Sequence, residues 1–343
     1  MKYSDAGVNI DKGNAFVERI KPLARSTFKS GVISGIGGFA GLFELNTKRY
    51  KHPVIVTSTD GVGTKLKIAF MMNTHDTVGI DLVAMNVNDI IVNGAMPEVF
   101  LDYIATSKLN VDVATDIVRG IVKGCKQADC TLIGGETAEL PGFYSENEYD
   151  LAGFVVGVVE KDRIIDGSTV KKGDVLIGIS SSGLHSNGYS LARYVLLEKK
   201  KMKLNAHIDE LGCTLGEELL KPTIIYVRVI KALIGQGLMK AAAHITGGGI
   251  VDNLPRVLPG TYTAVIETNS WFVPPVFRMI KSLGSIEESE MLRTFNNGIG
   301  MIVVVDKNRV EKAVNIIRTF KQKAYIIGEI RGSTKNGAKV EFI

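Results

Sequence analysis

The sequence predicts a two-domain protein of layered α/β (α+β) class, divided into residues 1–166 and 167–343. Three observations carry this. Runs of β-branched residues alternate with longer helical stretches, a pattern of sheets covered by helices. A chain of 343 residues is long enough to build two cores. Between the valine-rich run ending at Glu160 and the next apolar run lie the turn formers Asp166-Gly167-Ser168 and Lys172-Gly173-Asp174, which put the boundary near 162–172.

The elements follow in order. Residues 14–28 read as a weakly amphipathic helix kinked at Pro22. Gly35, Gly37 and Ala40 loosely match a dinucleotide-binding glycine pattern, but no strand is expected before them. The Gly35–Gly41 stretch, with Gly38, is therefore expected to be a mobile loop that folds over a nucleotide. Strands are expected at 53–58, 98–106, 130–134, 150–160, 174–180, 262–266, 300–305 and 324–330, where β-branched residues cluster between turn formers. Helices are expected at 76–93, 112–128, 186–199, 223–234, 274–282 and 307–321.

Composition narrows the classes. With 45% hydrophobic and 22% charged residues the chain is globular and not generally disordered. The net charge of +5 is modest, and its densest patch, Lys199-Lys200-Lys201, ends an expected helix, so no nucleic-acid partner is expected. Three cysteines, with Cys125 and Cys130 off any Cys-x-x-Cys spacing, indicate a reduced, cytoplasmic setting. Neither a signal-peptide core nor a membrane-spanning apolar run is present, so no membrane partner is expected.

The most informative segment is Ser-Thr-Asp-Gly-Val-Gly-Thr-Lys at 58–65, directly after an apolar run. It puts a carboxylate, two glycines and an ammonium at a strand tip. Gly61 and Gly63 let backbone N–H groups approach an anion, and Thr64 and Lys65 can meet phosphate oxygens. Asp60 can hold a hard cation. The order Thr64-Lys65 is not that of a Walker loop. The arrangement suits a magnesium–triphosphate ligand, and a plain Asp-Gly turn is the alternative.

From Ile68 to Ser107 there is no lysine or arginine, yet Asp76, Asp81, Asp89, Glu98 and Asp102 occur. Asp81 and Asn88 share one face of an apolar helix; Asn86, Asp89 and Asn93 form the neighbouring row. Buried carboxylates need a cation or a hydrogen-bond network. Magnesium would answer for Asp89 and Asp81; backbone N–H groups of a nearby loop are the alternative. Gly134-Gly135-Glu136 is expected just past a strand end, where Glu136 can join Asp60 at a metal.

In the second half, Ser180–Gly188 lies between a strand and a helix and combines Ser182, His185 and Asn187 with glycine N–H groups. His244-Ile-Thr246-Gly247-Gly248-Gly249 has the same chemistry. Both suit an anion, with the histidines in phosphate binding or proton transfer, or they are capping loops.

Together these motifs, with Phe-Asn-Asn-Gly at 295–298 and Tyr-Ser-Asp-Ala-Gly-Val-Asn-Ile-Asp at 3–11, resemble the phosphoribosylformylglycinamidine cyclo-ligase (aminoimidazole ribonucleotide synthetase) family, end to end and in order. The resemblance implies a homodimer whose N-terminal sheets pair into a barrel, a C-terminal α/β domain, and ATP and Mg2+ in a cleft between domains. It implies ATP-dependent closure of formylglycinamidine ribonucleotide to aminoimidazole ribonucleotide in purine synthesis. On it, Asp60, Asp89 and Glu136, with Asp81 and Asn86, are assigned to magnesium. Gly35, Gly37, Gly38, Gly61, Gly63, Thr64 and Lys65 go to the nucleotide. Ser182, Asn187, Thr246, Gly247 and Gly248 go to the substrate, and His185, His244 and Asp89 to catalysis. The rivals are a related phosphotransferase, such as thiamine-phosphate kinase or selenophosphate synthetase, and a silent nucleotide-binding subunit. No cysteine before Cys125 speaks against selenophosphate chemistry.

Overall fold

A computed structural model of the chain describes residues 6–332 and 339–343, so Tyr3–Asp5 of the opening motif lie outside the described residues. The chain divides into two compact units, Met1–Ile90 with Ala95–Asp162, and Ile91–Gly94 with Arg163–Ile343.

The first unit contains α1 (Ile10–Arg25), β1 (Val32–Ser34), β2 (Leu42–Phe43), β3 (Pro53–Gly61), α2 (Leu66–Met72), α3 (Asp76–Ile91), β4 (Met96–Thr106), α4 (Val111–Ala128), β5 (Thr131–Glu139) and β6 (Tyr149–Glu160). Its main sheet has the order β3-β6-β4-β5. β6 is antiparallel to both neighbours and β4 is parallel to β5, so β3, β4 and β5 end at one edge. Alternation along β3 turns Val54, Val56, Ser58 and Asp60 inward and exposes Ile55, Thr57 and Thr59. α3 and α4 cross at glycines: a Cβ on Gly120 would lie 2.0 Å from the Asp76 carbonyl oxygen. Asn110 caps α4 by accepting from the Asp112 and Val113 N–H groups.

The second unit contains β7 (Val175–Ser180), α5 (Tyr189–Arg193), β8 (His207–Ile208), β9 (Cys213–Thr214), α6 (Leu215–Leu219), α7 (Val227–Gly235), β10 (Met239–His244), α8 (Gly249–Asn253), β11 (Tyr262–Ile266), α9 (Pro275–Gly284), α10 (Glu288–Thr294), β12 (Ile299–Val305), α11 (Val310–Thr319), β13 (Ala324–Gly332) and β14 (Lys339–Phe342). Six strands form a sheet of order β10-β12-β7-β13-β11-β14. Its pairs are antiparallel except β11–β14. Leu176, Ile266, Ile302, Val304, Ile327 and Trp271 pack into a buried core on one face. Both sheets are mixed, so of the expected classes the antiparallel-rich layered form is the one adopted.

Several expectations need correcting. A short strand, β1, does precede the glycine loop, but it pairs with β2 as a hairpin and leads to no helix, so the dinucleotide reading still fails. β5 runs on to Glu139, which places Glu136 inside the strand and not beyond its end. The helix expected from residue 186 starts at Tyr189, because Ser186 and Asn187 hydrogen-bond outward to other loops; it ends in a π-helical turn, Tyr194–Lys199. α1 continues through Pro22 to Arg25. β10, Met-Lys-Ala-Ala-Ala-His, escaped notice because alanine has little strand preference; pairing with β12 imposes the conformation. Among the described residues no helix is long and apolar enough to cross a membrane.

Candidate active site

The strand tip of β3 holds the first group. Asp60 Oδ1 accepts from the Gly61 N–H at 2.8 Å, and Gly63, with φ +68°, opens a short 3-10 turn, Gly63–Lys65, that feeds α2. Gly63 and Thr64 are exposed. Lys65 instead points inward: its Nζ lies 2.8 Å from Asp81 Oδ2 on α3, and both side chains are fully buried. Burial lowers the Lys65 pKa, against the opposing pull of the Asp81 carboxylate.

α3 reaches the same strand twice more. Asn86 Nδ2 donates to the Leu82 carbonyl at 2.8 Å and to the Asp60 carbonyl at 3.3 Å. This approach needs Gly153 on β6, whose Cβ would lie 2.6 Å from Asn86 Nδ2. Asn86 Oδ1 is buried and has no hydrogen-bond partner among the described residues. Ser58 Oγ donates to Asp89 Oδ2 at 3.4 Å. Asp60, Asn86 and Asp89 are thus neighbours along β3 and α3, while Asp81 is held by Lys65. Among the described residues no three His, Cys, Asp or Glu side chains gather as a metal cluster.

Glu136 stands elsewhere. Its register partner on β4 is Tyr103, which pairs with Ala152 on β6, which pairs with Gly61. Three strand spacings of ~4.8 Å separate it from the β3 tip. Glu136 lines a separate cavity of about 350 Å³ with Asn9, Asn14, Ile36, Asp102 and Glu139. Glu139 accepts from the Asn9 N–H at 2.8 Å and the Leu109 N–H at 2.7 Å, tying α1 to β5.

The glycine loop hangs between β1 and β2. Gly35 and Gly41 are packing positions, since a Cβ there would meet the Phe28 ring at 2.3 Å and the Ile133 side chain at 2.7 Å. Gly37 has φ +118°, Gly38 is open, and Phe39 is fully exposed.

Sequence reasoning missed a cavity of about 390 Å³ beside α2, lined by Phe70, His75, Ile104, Leu109, Ile117 and Tyr149 among others. His75 Nδ1 lies 2.8 Å from the Tyr149 hydroxyl and His75 Nε2 lies 3.2 Å from Asn73 Oδ1. Burial lowers the His75 pKa and raises that of Tyr149, so both are neutral near pH 7. The Phe70 ring stands edge-on to Tyr149 at 4.8 Å. The residues come from α2, the turn after it, β4, α4 and β6, so no single motif announced them.

In the second unit the expected loops are knitted together. The Gly247 N–H donates to Asn187 Oδ1 at 2.9 Å, joining the Ser180–Gly188 loop to the Thr246–Gly249 loop. Gly248 precedes α8 with φ +94°, and Thr246 Oγ1 lies 3.5 Å from Asn253 Oδ1. Ser182 Oγ donates to the Pro222 carbonyl at 2.6 Å. His185, with φ +61°, is buried, and its Nε2 accepts from the Ser182 N–H at 3.2 Å. Nε2 is therefore an acceptor, which puts the proton of a neutral ring on Nδ1. His244 ends β10, also buried. Asn296, in the Phe-Asn-Asn-Gly motif, accepts from Ser181 Oγ at 2.9 Å and donates to the Gly183 carbonyl at 2.9 Å.

The comparisons with known proteins agree with one another. Residues 40–159 match the N-terminal domain, and residues 171–341 the C-terminal domain, of AIR synthase related protein. A protein of Thermoanaerobacter sp. (strain X514) named phosphoribosylformylglycinamidine cyclo-ligase is 59% identical over 96% of this chain and 97% of its own length. One of the same name from Desulfatibacillum aliphaticivorans is 53% identical over 100% and 99%. Among solved structures, thiamine-monophosphate kinase from Stenotrophomonas maltophilia K279a has a TM-score of 0.69 at 16% identity, covering 94% of this chain and 95% of that one. Hydrogenase maturation protein HypE in complex with ATP has a TM-score of 0.67 at 18% identity, covering 95% and 91%. Those two share the fold. The chain belongs to the AIR synthase related protein family.

Proposed function

We propose that this chain is a phosphoribosylformylglycinamidine cyclo-ligase: it uses ATP to close formylglycinamidine ribonucleotide into 5-aminoimidazole ribonucleotide, releasing ADP and phosphate, in cytoplasmic purine synthesis. The observation that carries the reading is the 59% identity to a relative of that name over 96% of the chain. The thiamine-monophosphate kinase is similar at only 16%.

The residues suit the chemistry. An amide oxygen leaves poorly, whereas phosphate on that oxygen leaves well, so the protein's work is to hold a triphosphate in line with the formyl oxygen. The cavity around Phe70, His75 and Tyr149, whose imidazole and phenol are uncharged, has the size and mixed lining of an adenine seat. From it α2 leads back to the Gly61–Thr64 turn, whose exposed Gly63 and Thr64 are the positions offered to phosphates, and the Gly35–Gly41 loop closes over them. Asp60 and Asp89 supply carboxylates to magnesium. Asn86 Oδ1, a buried acceptor with no partner among the described residues, fits the oxygen-only donor set that this ion takes. Bound there, the ion would neutralise phosphate charge. The Lys65–Asp81 pair braces the turn from inside.

In the second unit, Ser182, Asn187, Thr246, Gly247 and Gly248 are assigned to the substrate phosphate, with His244 beside them. His185 shapes its loop through the Ser182 N–H. The homodimer is supported by the outer face of the first sheet, where Ile55, Phe154, Leu101, Tyr103 and Val156 form an exposed or half-buried apolar surface. Incubation with ATP, magnesium and formylglycinamidine ribonucleotide tests the function. Aminoimidazole ribonucleotide formed in step with ADP supports it; ADP formed without it would point to a kinase.

A further inference from the structure

We infer that Asp102 binds the amidine group of the substrate and takes the proton released at ring closure, a role that rests on the cyclo-ligase reading above. Asp102 sits on the inward face of β4 and is only 9% exposed. When ionised, a carboxylate so placed requires a partner. Among the described residues no side chain donates a hydrogen bond to it or forms an ion pair with it. It lines the cavity of about 350 Å³ under α1, whose lining includes no lysine, arginine or histidine. The titratable groups facing it are Glu136 and Glu139 on β5 and the Cys125 thiol on α4. Glu139 is already engaged by the Asn9 and Leu109 N–H groups. The site therefore lacks a cation, and its natural occupant is a planar N–H donor carrying positive charge. An amidinium offers two parallel N–H groups in the geometry a carboxylate accepts.

The sequence around Asp102 makes room for this seat. A Cβ on Gly135 would lie 2.3 Å from Asp102 Oδ1, so only glycine on β5 leaves the carboxylate its place. Asp102 pairs with Gly153, which pairs with Asp60. The two aspartates thus share one transverse row, roughly 10 Å apart across two strand spacings. An amidine on Asp102 directs the formyl end of the same small molecule toward the Asp60 side.

The step balances. The ribosyl-bearing amidine nitrogen attacks the formyl-derived carbon once its oxygen carries phosphate. A C–N bond forms, the C–O bond breaks, and phosphate leaves with the electron pair. The ribosyl-bearing N–H of the amidinium gives its proton to the Asp102 carboxylate, which frees the lone pair that attacks. The formamide N–H proton is lost to water as phosphate departs, and loss of one methylene proton to water completes the aromatic ring with the exocyclic nitrogen as NH2.

The test uses the intact protein, Asp102→Asn and Gly135→Ala, with calorimetric binding of formylglycinamidine ribonucleotide and steady-state rates for both substrates. Asp102→Asn is expected to weaken binding of the amidine substrate about tenfold or more, as for loss of a charge-assisted pair. It should also lower kcat about 100-fold or more, as for loss of a general base. KM for ATP should stay within about twofold. Gly135→Ala, which keeps the carboxylate but displaces it, should show the same pattern in weaker form. Parent-like binding and kcat in Asp102→Asn would overturn the assignment, and so would equal losses for both substrates. If the unaltered protein makes no aminoimidazole ribonucleotide, the cyclo-ligase reading fails; if it does and Asp102→Asn matches it, the Asp102 role alone fails.

Discussion

Lys65 Nζ lies 2.8 Å from the Asp81 carboxylate, and neither side chain is exposed to solvent. A lysine that closes a phosphate-loop-like sequence thus points into the first unit. Removing one member of such a pair strands the other charge and costs about 3–5 kcal/mol. Lys65→Met should lower stability by that amount in urea unfolding followed by circular dichroism, and Lys65→Met combined with Asp81→Leu should restore part of it. A cost under about 1 kcal/mol for Lys65→Met, with a large loss of ATP affinity, would return Lys65 to direct phosphate contact.

Asp89 and the His75–Tyr149 cavity should separate in kinetics. Asp89→Asn, nearly isosteric, should leave the fold intact and lower turnover about 100-fold at saturating ATP, partly relieved by raised magnesium. Tyr149→Phe and His75→Ala should raise KM for ATP about three- to thirtyfold while kcat changes little, because they touch only the base. Parent-like turnover of Asp89→Asn across a magnesium titration would remove it from the metal site. An unchanged KM for ATP in both cavity variants would move the adenine elsewhere.

Burial raises the pKa of Asp102 from 3.8 to about 7. The folded state therefore holds a proton that the unfolded chain releases between pH ~4 and pH ~7. Stability from this group is fully present below pH ~4 and is lost as pH rises through pH ~7. Asp102→Asn abolishes that loss. It should be more stable than the parent at pH 8, by up to about 4 kcal/mol, with the gap closing toward pH 4. Melting curves across that range check it, and a gap independent of pH contradicts it.

The outer face of the first sheet bears on assembly. Phe154 is 44% exposed there and Ile55 66%. Phe154→Glu should convert a sedimenting dimer to monomer with the secondary structure retained. A parent-like dimer would place the interface on another surface.

Legibility from sequence followed the reach of each signal. Local patterns were readable: α4 has a capping asparagine, an amphipathic stripe and an αL stop at Asp129, and its range was foreseen to within a residue. Features set by partners across the fold were not. β5 continues to Glu139 because β4 pairs with it throughout, although Gly134 and Gly135 read as a strand end. Lys65 sits in an anion-binding sequence yet turns inward, because α3 brings Asp81 to it. Asp102 was visible only as one acid in a cation-free stretch; its isolation depends on Gly135 and on α1. The His75–Tyr149 seat is assembled from α2, β4, α4, β6 and the loops between them, and has no sequence signature.

In the proposed reaction ATP phosphorylates the formyl oxygen before the ring closes on that carbon. Formylglycinamidine ribonucleotide labelled with 18O at the formyl oxygen measures this directly, with mass spectrometry of the released phosphate. Each phosphate released is expected to carry one labelled oxygen, in step with aminoimidazole ribonucleotide. Unlabelled phosphate, with the label in water, would contradict it.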